Sequence, residues 1–269
     1  LCGLVLVRTG CAAADPPPAD TQFANFAFAS ELGSGIYEMG GTVMQVYQLP
    51  FAYTLRPPSK HTAPPGIKLI LPVTVGFFNF QTSDLVHLEI PTAIGALSLE
   101  PGVELNYVLT DAWSVYPYLK AGRTFASQNQ INATIYGVGV RSDYRFGVFD
   151  SRGLWRAALA YAGVRYHGDV PSDSFTRLRN GAELRHSFAW PSPQRGLELG
   201  PYAMADVYFN APSGPASGIS ARTLQFEAGL MFGASPMWTF RGWPLPRLGI
   251  GYREAGILSG WRLVFGDPF

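Results

Sequence analysis

From about Gly35 onward, apolar and polar residues alternate in runs longer than most globular sheets use. In the clearest run, Leu97, Leu99, Val103, Leu105, Tyr107 and Leu109 take one face, and Ser98, Glu100, Gly102, Glu104 and Asn106 take the other. Thr42 to Arg56 sets Tyr47, Leu49, Phe51, Tyr53 and Leu55 together, and Gly66 to Phe80 does the same with Ile67, Leu69, Leu71, Val73 and Val75. Leu197 to Asn210 opposes Leu199, Ala203, Val207 and Phe209 to Glu198, Tyr202 and Asp206. Side chains alternate across a strand, so each run is a strand with one apolar and one polar or small face. Globular strands usually hold about five or six residues. These hold about 10–15, and a tilted strand needs roughly 9–11 to cross a bilayer.

Composition decides which side of such a sheet meets water. Charged residues make up 14% of the 269, and aromatics another 14%, where a soluble domain carries roughly 25% charge. A soluble barrel, apolar inside and polar outside, needs more charge than this. The opposite arrangement, apolar outside and polar within, fits a barrel in lipid. The fold class expected is therefore all-β, a closed antiparallel transmembrane β-barrel forming one domain. Disorder is excluded by the aromatic content. A net charge of +1 gives no basic footprint for nucleic acid. No apolar run approaches the roughly 18 residues of a helical span.

Twelve strands are read, at roughly 32–39, 42–56, 66–80, 94–109, 113–124, 131–146, 153–167, 175–190, 197–209, 220–233, 245–254 and 257–267, with ten as the alternative count. Gly40-Gly41 would join the first pair as a tight hairpin. With both chain ends in the periplasm, the turns at Thr110 to Ala112, Phe149 to Arg152 and Pro191 to Gly196 fall on that side, where short turns belong. The connections at 81–93, 125–130, 168–174 and 210–219 then face outward. The stretches Pro57 to Pro65 and Pro236 to Pro246 are long for periplasmic turns.

The ends of the chain carry their own signals. Leu1 to Val7 is apolar, and Cys11, Ala12, Ala13, Ala14 and Asp15 follow, which reads as a signal-peptide remnant over 1–14. Two other readings stand beside it: a lipoprotein signal with Cys11 lipidated, and a first buried strand. Residues 15–31 form an N-terminal segment in which Phe23, Phe26, Ala27 and Ser30 share a helical stripe. It is read as a lumen plug or as a tail on the periplasmic surface. The barrel is expected over 32–269. At the other end Trp261, Leu263 and Phe265 stand at even spacing before Phe269. This resembles the aromatic-terminated last strand that the barrel-assembly machinery reads in outer-membrane proteins, although Asp267 and Pro268 depart from the alternation.

Two further stretches carry a family resemblance: Leu49-Pro50-Phe51-Ala52-Tyr53-Thr54-Leu55-Arg56 with Leu71-Pro72-Val73-Thr74-Val75-Gly76-Phe77, and Ile135-Tyr136-Gly137-Val138-Gly139-Val140-Arg141-Ser142. With the strand count, they resemble the β-domain of autotransporters, and specifically the solitary autotransporter-type barrels that lack a passenger. The resemblance implies a Gram-negative outer-membrane, porin-like pore or structural barrel, with lipid and the assembly machinery as partners. It brings no catalytic residues and no cofactor. The stretch of about 17 residues between the cleavage site and the first strand is short for a passenger. The alternative functions are a surface binding or adhesion barrel and a rim-site hydrolase.

Two constellations on the barrel are candidates for function. His167 and Asp169, beside Ser172, Asp173 and Ser174, share a face near an outer loop, where a base needs hydrogen-bond reach of a nucleophile. Polar rim loops contain such residues by composition, so no enzyme activity is expected. His186, between Leu184 and Phe188, reads as a packing residue, and no metal-ligand spacing is present. The second constellation is a lumen charge cluster of Glu100, Glu104, Arg141, Arg145, Arg177, Arg179, Glu183, Arg185 and Arg262, with Glu227 and Arg253 added. It is either a charged constriction that selects solutes or a set of paired charges that packs the lumen. Either way these charges must point inward, since Arg facing lipid at the midplane costs roughly 2–4 kcal/mol.

Overall fold

A computed structural model describes residues 26–39, 42–59, 64–80, 95–126, 132–167, 172–192, 195–210, 223–235, 239–240, 243–244, 246–255 and 258–269. Outside these lie the signal-peptide stretch, Phe23, Gly40-Gly41, His61, Asp84, His87, Asp169 and most of the expected outer connections.

A short helix, α1 (Phe26–Leu32), precedes the strands β1 (Gly35–Met39), β2 (Thr42–Arg56) and β3 (Gly66–Phe80). Next come β4 (Ala96–Leu99), β5 (Gly102–Val108), β6 (Trp113–Ala126), β7 (Asn132–Val148), β8 (Ser151–Tyr166), β9 (Asp173–Ser192) and β10 (Arg195–Tyr208). The chain finishes with β11 (Leu224–Ser235), a two-residue ribbon of β12 (Thr239–Phe240) and β13 (Trp243–Pro244), then β14 (Leu248–Glu254) and β15 (Leu258–Phe265). Every pairing is antiparallel, and β1 pairs with both β2 and β15, which closes the sheet on itself. β4 and β5 both pair with β3 and β6, so they are two halves of one stave. The break falls at Glu100-Pro101, where proline has no N–H to give the ladder. Counted this way, the barrel has twelve staves, as the alternation predicts, and not ten.

The faces follow the alternation. Leu49, Phe51, Tyr53 and Leu55 on β2, Leu119 on β6, Phe226 and Leu230 on β11, and Trp261, Leu263 and Phe265 on β15 all point outward and are exposed. Their neighbours Gln45, Thr124, Gln225, Glu227 and Arg262 are buried inside. The result is an apolar belt around a polar lumen, the inverse of a soluble barrel.

Three expectations need correction. The first strand starts at Gly35 and not at 32, because Phe26–Leu32 is helical. β9 is longer than expected, running from Asp173 to Ser192. The third concerns the chain ends: Phe26 lies against Tyr166 (ring centroids 6.0 Å) and Phe28 against Phe175 and Tyr208, at the barrel end that carries the connections after β3, β8 and β10. The described chain thus begins at the loop end and finishes at the turn end, because α1 runs inside the barrel.

Candidate functional site: the charged lumen and its two inserts

α1 is held at its C-terminal end, where a helix leaves carbonyls unsatisfied. Gly33, at φ +85°, terminates it in the left-handed conformation that glycine adopts without strain. The Tyr37 hydroxyl, on a fully buried side chain of β1, lies 3.0 Å from the Leu32 carbonyl oxygen and 3.2 Å from that of Gly33, within donating reach of both. The Gln48 amide donates to the Ser30 carbonyl (3.0 Å) and Arg177 Nη1 to the Glu31 carbonyl (3.1 Å). Cationic and N–H groups thus collect at the negative end of the helix.

The Glu31 side chain fixes the helix to the wall. Its carboxylate sits 2.7 Å from Lys120 Nζ on β6 and 2.6 Å from Arg177 Nη2 on β9, and Lys120 also meets Glu100 at 2.9 Å. Burial pushes the Glu31 carboxyl up, but the attraction of Lys120 and then Arg177 outweighs it and brings the group down to about 2. The N-terminal end of the helix is apolar: Phe26 and Phe28 are buried in one cluster with Ile135, Val164, Phe175 and Tyr208, which Leu32 also joins.

Beside α1 a second group of charges crosses from β9 to β15. Arg179 grips Asp206 with two hydrogen bonds (2.7 and 2.8 Å). Arg253 bridges Asp206 (3.1 Å) to Glu227 (2.9 Å), and Arg262 adds a contact to Glu227 at 2.8 Å. The Tyr202 hydroxyl donates to Glu227 as well (2.9 Å). Arg253 is 1% exposed, so the cost of burying its charge is offset by these carboxylates.

Toward the turn end, Arg141 contacts Glu104 (3.1 Å) and lies over the Tyr116 ring (4.2 Å), while Arg156 takes both oxygens of Asp143 (2.6 and 2.7 Å). Glu183 joins Arg185 (2.9 Å) to Arg247, and Arg152 contacts Glu198. A cavity of about 910 Å³ opens here, bounded in part by Arg56, Lys68, Arg145, Arg152 and Asp267.

The last residues form the second insert. After β15, Gly266 takes φ +86° and turns the chain back into the barrel. Asp267 then reaches Arg185 (3.1 Å) and Arg156 (3.6 Å), and Arg262 donates to the Pro268 carbonyl (2.7 Å). Burial pushes the Asp267 carboxyl up, and Arg156 with Arg185 brings it below the ordinary carboxylate range. The Phe269 ring packs edge-on to Tyr202 (6.3 Å) and within 5.5 Å of the Arg156 guanidinium. It covers Gly181 so closely that a Cβ there would lie 2.2 Å from the ring. Phe269 and Glu31 border the same residual gap of about 300 Å³ between the two inserts.

Of the residues singled out by sequence, Glu100, Glu104, Arg177, Arg179, Glu183 and Arg262 are buried in the lumen. Arg141 and Arg185 are half-buried at the cavity wall. Arg145 borders that cavity and makes no ion pair among the described residues. Trp261, Leu263 and Phe265 point outward, whereas Phe269 leaves their row and turns inward. His167 is exposed, with Nε2 3.2 Å from Thr134 Oγ1, and His186 meets Ser151 (3.1 Å) and the Phe188 ring. Among the described residues no cluster of His, Cys, Asp and Glu is arranged to hold a metal.

Sequence reasoning passed over Glu31, Asp143, Arg156, Arg247 and Asp267 as members of the network. Asp143 shares strand parity with Arg141 and Arg145 and was within reach of the same argument. Arg156, mid-strand, was bound to point inward because lipid refuses it. Nothing in the pattern marked Glu31, which lies outside the alternation.

No family model matches the sequence, and no curated protein matches it. Solved structures do resemble the fold. The β-domain of the Bordetella autotransporter BrkA is similar at a TM-score of 0.54 and 13% identity, over 86% of this chain and 92% of that one. The translocator domain of the autotransporter NalP from Neisseria meningitidis is similar at 0.56 and 12%, over 87% of this chain and 85% of that one. At such identities the likeness is one of fold.

Proposed function

We propose that this chain is an outer-membrane β-barrel of autotransporter translocator type whose lumen is held closed, a narrow pore or structural barrel and not an open porin. The observation that carries this is Glu31: a buried carboxylate on α1, shared by Lys120 and Arg177 from two different staves, fastens a helix across the lumen. The apolar belt suits a bilayer, and a closed barrel leaves no sheet edge for lipid to face. In this reading the end with the turns at 109–112, 149–150 and 193–194 faces the periplasm, and the end with the connections after β3 and β10 faces outward. Twelve strands enclose more space than the eight that side chains alone fill, so a helix, a charge network and the Gly266–Phe269 segment are needed to occupy it.

The same reading makes Trp261, Leu263 and Phe265 the outward row available to the assembly machinery, with Phe269 reserved for the lumen. His167 and His186 border neither of the lumen cavities described above, and Asp169 lies outside the described residues.

The test is planar-bilayer conductance of the purified barrel. Conductance should be small in the full chain and rise when residues 15–31 are deleted. Replacing Arg177, Arg179 and Arg185 with Ser in the deleted form should shift selectivity toward cations. Unchanged conductance on deletion refutes closure by α1; altered stability without altered selectivity assigns the charges to packing alone.

A further inference from the structure

The cavity at the turn end has a charge composition that the closed-barrel reading does not need. Its wall holds eight cationic side chains, seven Arg and Lys68, against five acidic ones, and Glu183, which contacts Arg185 and Arg247 from behind the wall, brings the excess to two positive charges. A low-dielectric wall of one net sign concentrates counter-ions of the other.

Two details show what these cations are placed to hold. Asp267, on the segment that turns at Gly266, rests its half-exposed carboxylate between Arg185 and Arg156. The vestibule thus grips a carboxylate already, one supplied by the chain itself. The second detail is Arg247, only 8% exposed, which spends one amino group on Glu183 and leaves Nε and Nη1 without a hydrogen-bond partner. Its Nε lies 3.9 Å from Glu198, beyond hydrogen-bond reach, and the residue borders the cavity. The guanidinium is held by shape: a Cβ at Gly200 would fall 2.6 Å from its Nη2, and one at Gly233 would fall 2.7 Å from its Cγ. Those two donors are sealed from the cavity, so Arg247 adds a fixed buried positive charge at its border and not a hydrogen-bond donor to its contents.

We propose that this vestibule binds compact anions of two or more charges, bearing carboxylate or phosphate groups, and that Asp267 is the built-in competitor for the site. Arg156 and Arg185 supply forked donors when Asp267 swings out, Arg145 at the wall supplies unpaired charge, and Arg247 adds buried positive charge at the border. Guanidinium forks fit both carboxylate and phosphate, so the two sources share one chemistry here. The inference goes beyond the closed-barrel reading and does not need the barrel to conduct.

The experiment is titration calorimetry on the full detergent-solubilised chain at constant ionic strength, with citrate, inorganic pyrophosphate and, as monovalent control, acetate. Saturable binding of citrate or pyrophosphate, and none of acetate, is expected; whichever binds more tightly identifies the favoured source. Asp267→Asn should tighten binding by about threefold or more, since a unit negative charge leaves the site. A merely structural Asp267 would give the opposite sign. Arg185→Gln should abolish binding, and because that change also takes a partner from Glu183, the exposed Arg145→Gln serves as a second variant and should weaken binding several-fold in a barrel that still shifts in unheated gels. Absent binding of both polyanions in wild type and Asp267→Asn, weaker binding in Asp267→Asn, or equal responses to citrate and acetate would each overturn the proposal. Bilayer conductance on the same samples tests closure separately.

Discussion

Glu31→Gln should loosen α1 by an amount that two independent routes put at about 3 kcal/mol. A carboxyl held from 4.5 down to about 2 by Lys120 and Arg177 contributes about 3 kcal/mol of docking while it is ionised. Removing one member of a buried ion pair costs roughly 3–5 kcal/mol, because the partner charges stay buried. Here Arg177 would keep only the Glu31 backbone carbonyl from the helix, and Lys120 would keep Glu100. About 3 kcal/mol is a factor of more than 100 in the docked-to-undocked ratio. Hydrogen exchange of the α1 amides reads that ratio directly, so their exchange should speed up by about two orders of magnitude. The sign with pH follows from the lowered carboxyl. Docking strength in the wild type is fully present above pH 4.5 and is lost as pH falls toward about 2, whereas the Gln variant lacks this titration. Equal α1 exchange in wild type and variant at neutral pH would refute the argument. So would wild-type protection that stays level between pH 4.5 and 2.

Tyr37→Phe should lower α1 protection by about 1–2 kcal/mol, since the hydroxyl at the Leu32 and Gly33 carbonyls is lost in a dry site; exchange of the same amides reads it. Gly181→Ala should expel the Phe269 ring and expose Tyr202, and combining it with Phe269→Ala should recover only part of the lost stability, because the new Cβ still lies 2.9 Å from Met204 Cβ; urea unfolding in detergent measures both. Arg253→Met should destabilise the barrel by roughly 3–5 kcal/mol, because Asp206 and Glu227 lose their shared cation; its melting in unheated gels should fall well below that of the wild type. Leu119→Arg on the outer face should cost up to roughly 2–4 kcal/mol, depending on depth, while Leu119→Phe should be neutral.

Strand existence, facing and number were legible because alternation is a local property. Leu99 and Val103 point outward, and Glu100 and Glu104 inward, for reasons each segment contains in itself. The apolar-out arrangement followed from the scarcity of charge, and the inward direction of Arg177, Arg179 and Arg262 followed from what lipid refuses. Partnership was not legible. Arg179 meets Asp206 across neighbouring staves, but Glu31 meets Lys120 and Arg177 from inside the barrel, and Arg185 meets Asp267 from 82 positions away. Those pairs depend on how the sheet closes and on what lies along its axis, which strand periodicity does not encode. Phe269 shows the same boundary. Its even spacing from Phe265 predicts the outer row, but Gly266 breaks the strand and the ring finds Tyr202 and Arg156 within. The sequence by itself determined a barrel with charges inside. Only the closed tertiary structure decided that a helix and the Gly266–Phe269 segment would enter the lumen and share those charges, because a twelve-stave lumen leaves space that the wall side chains alone do not fill.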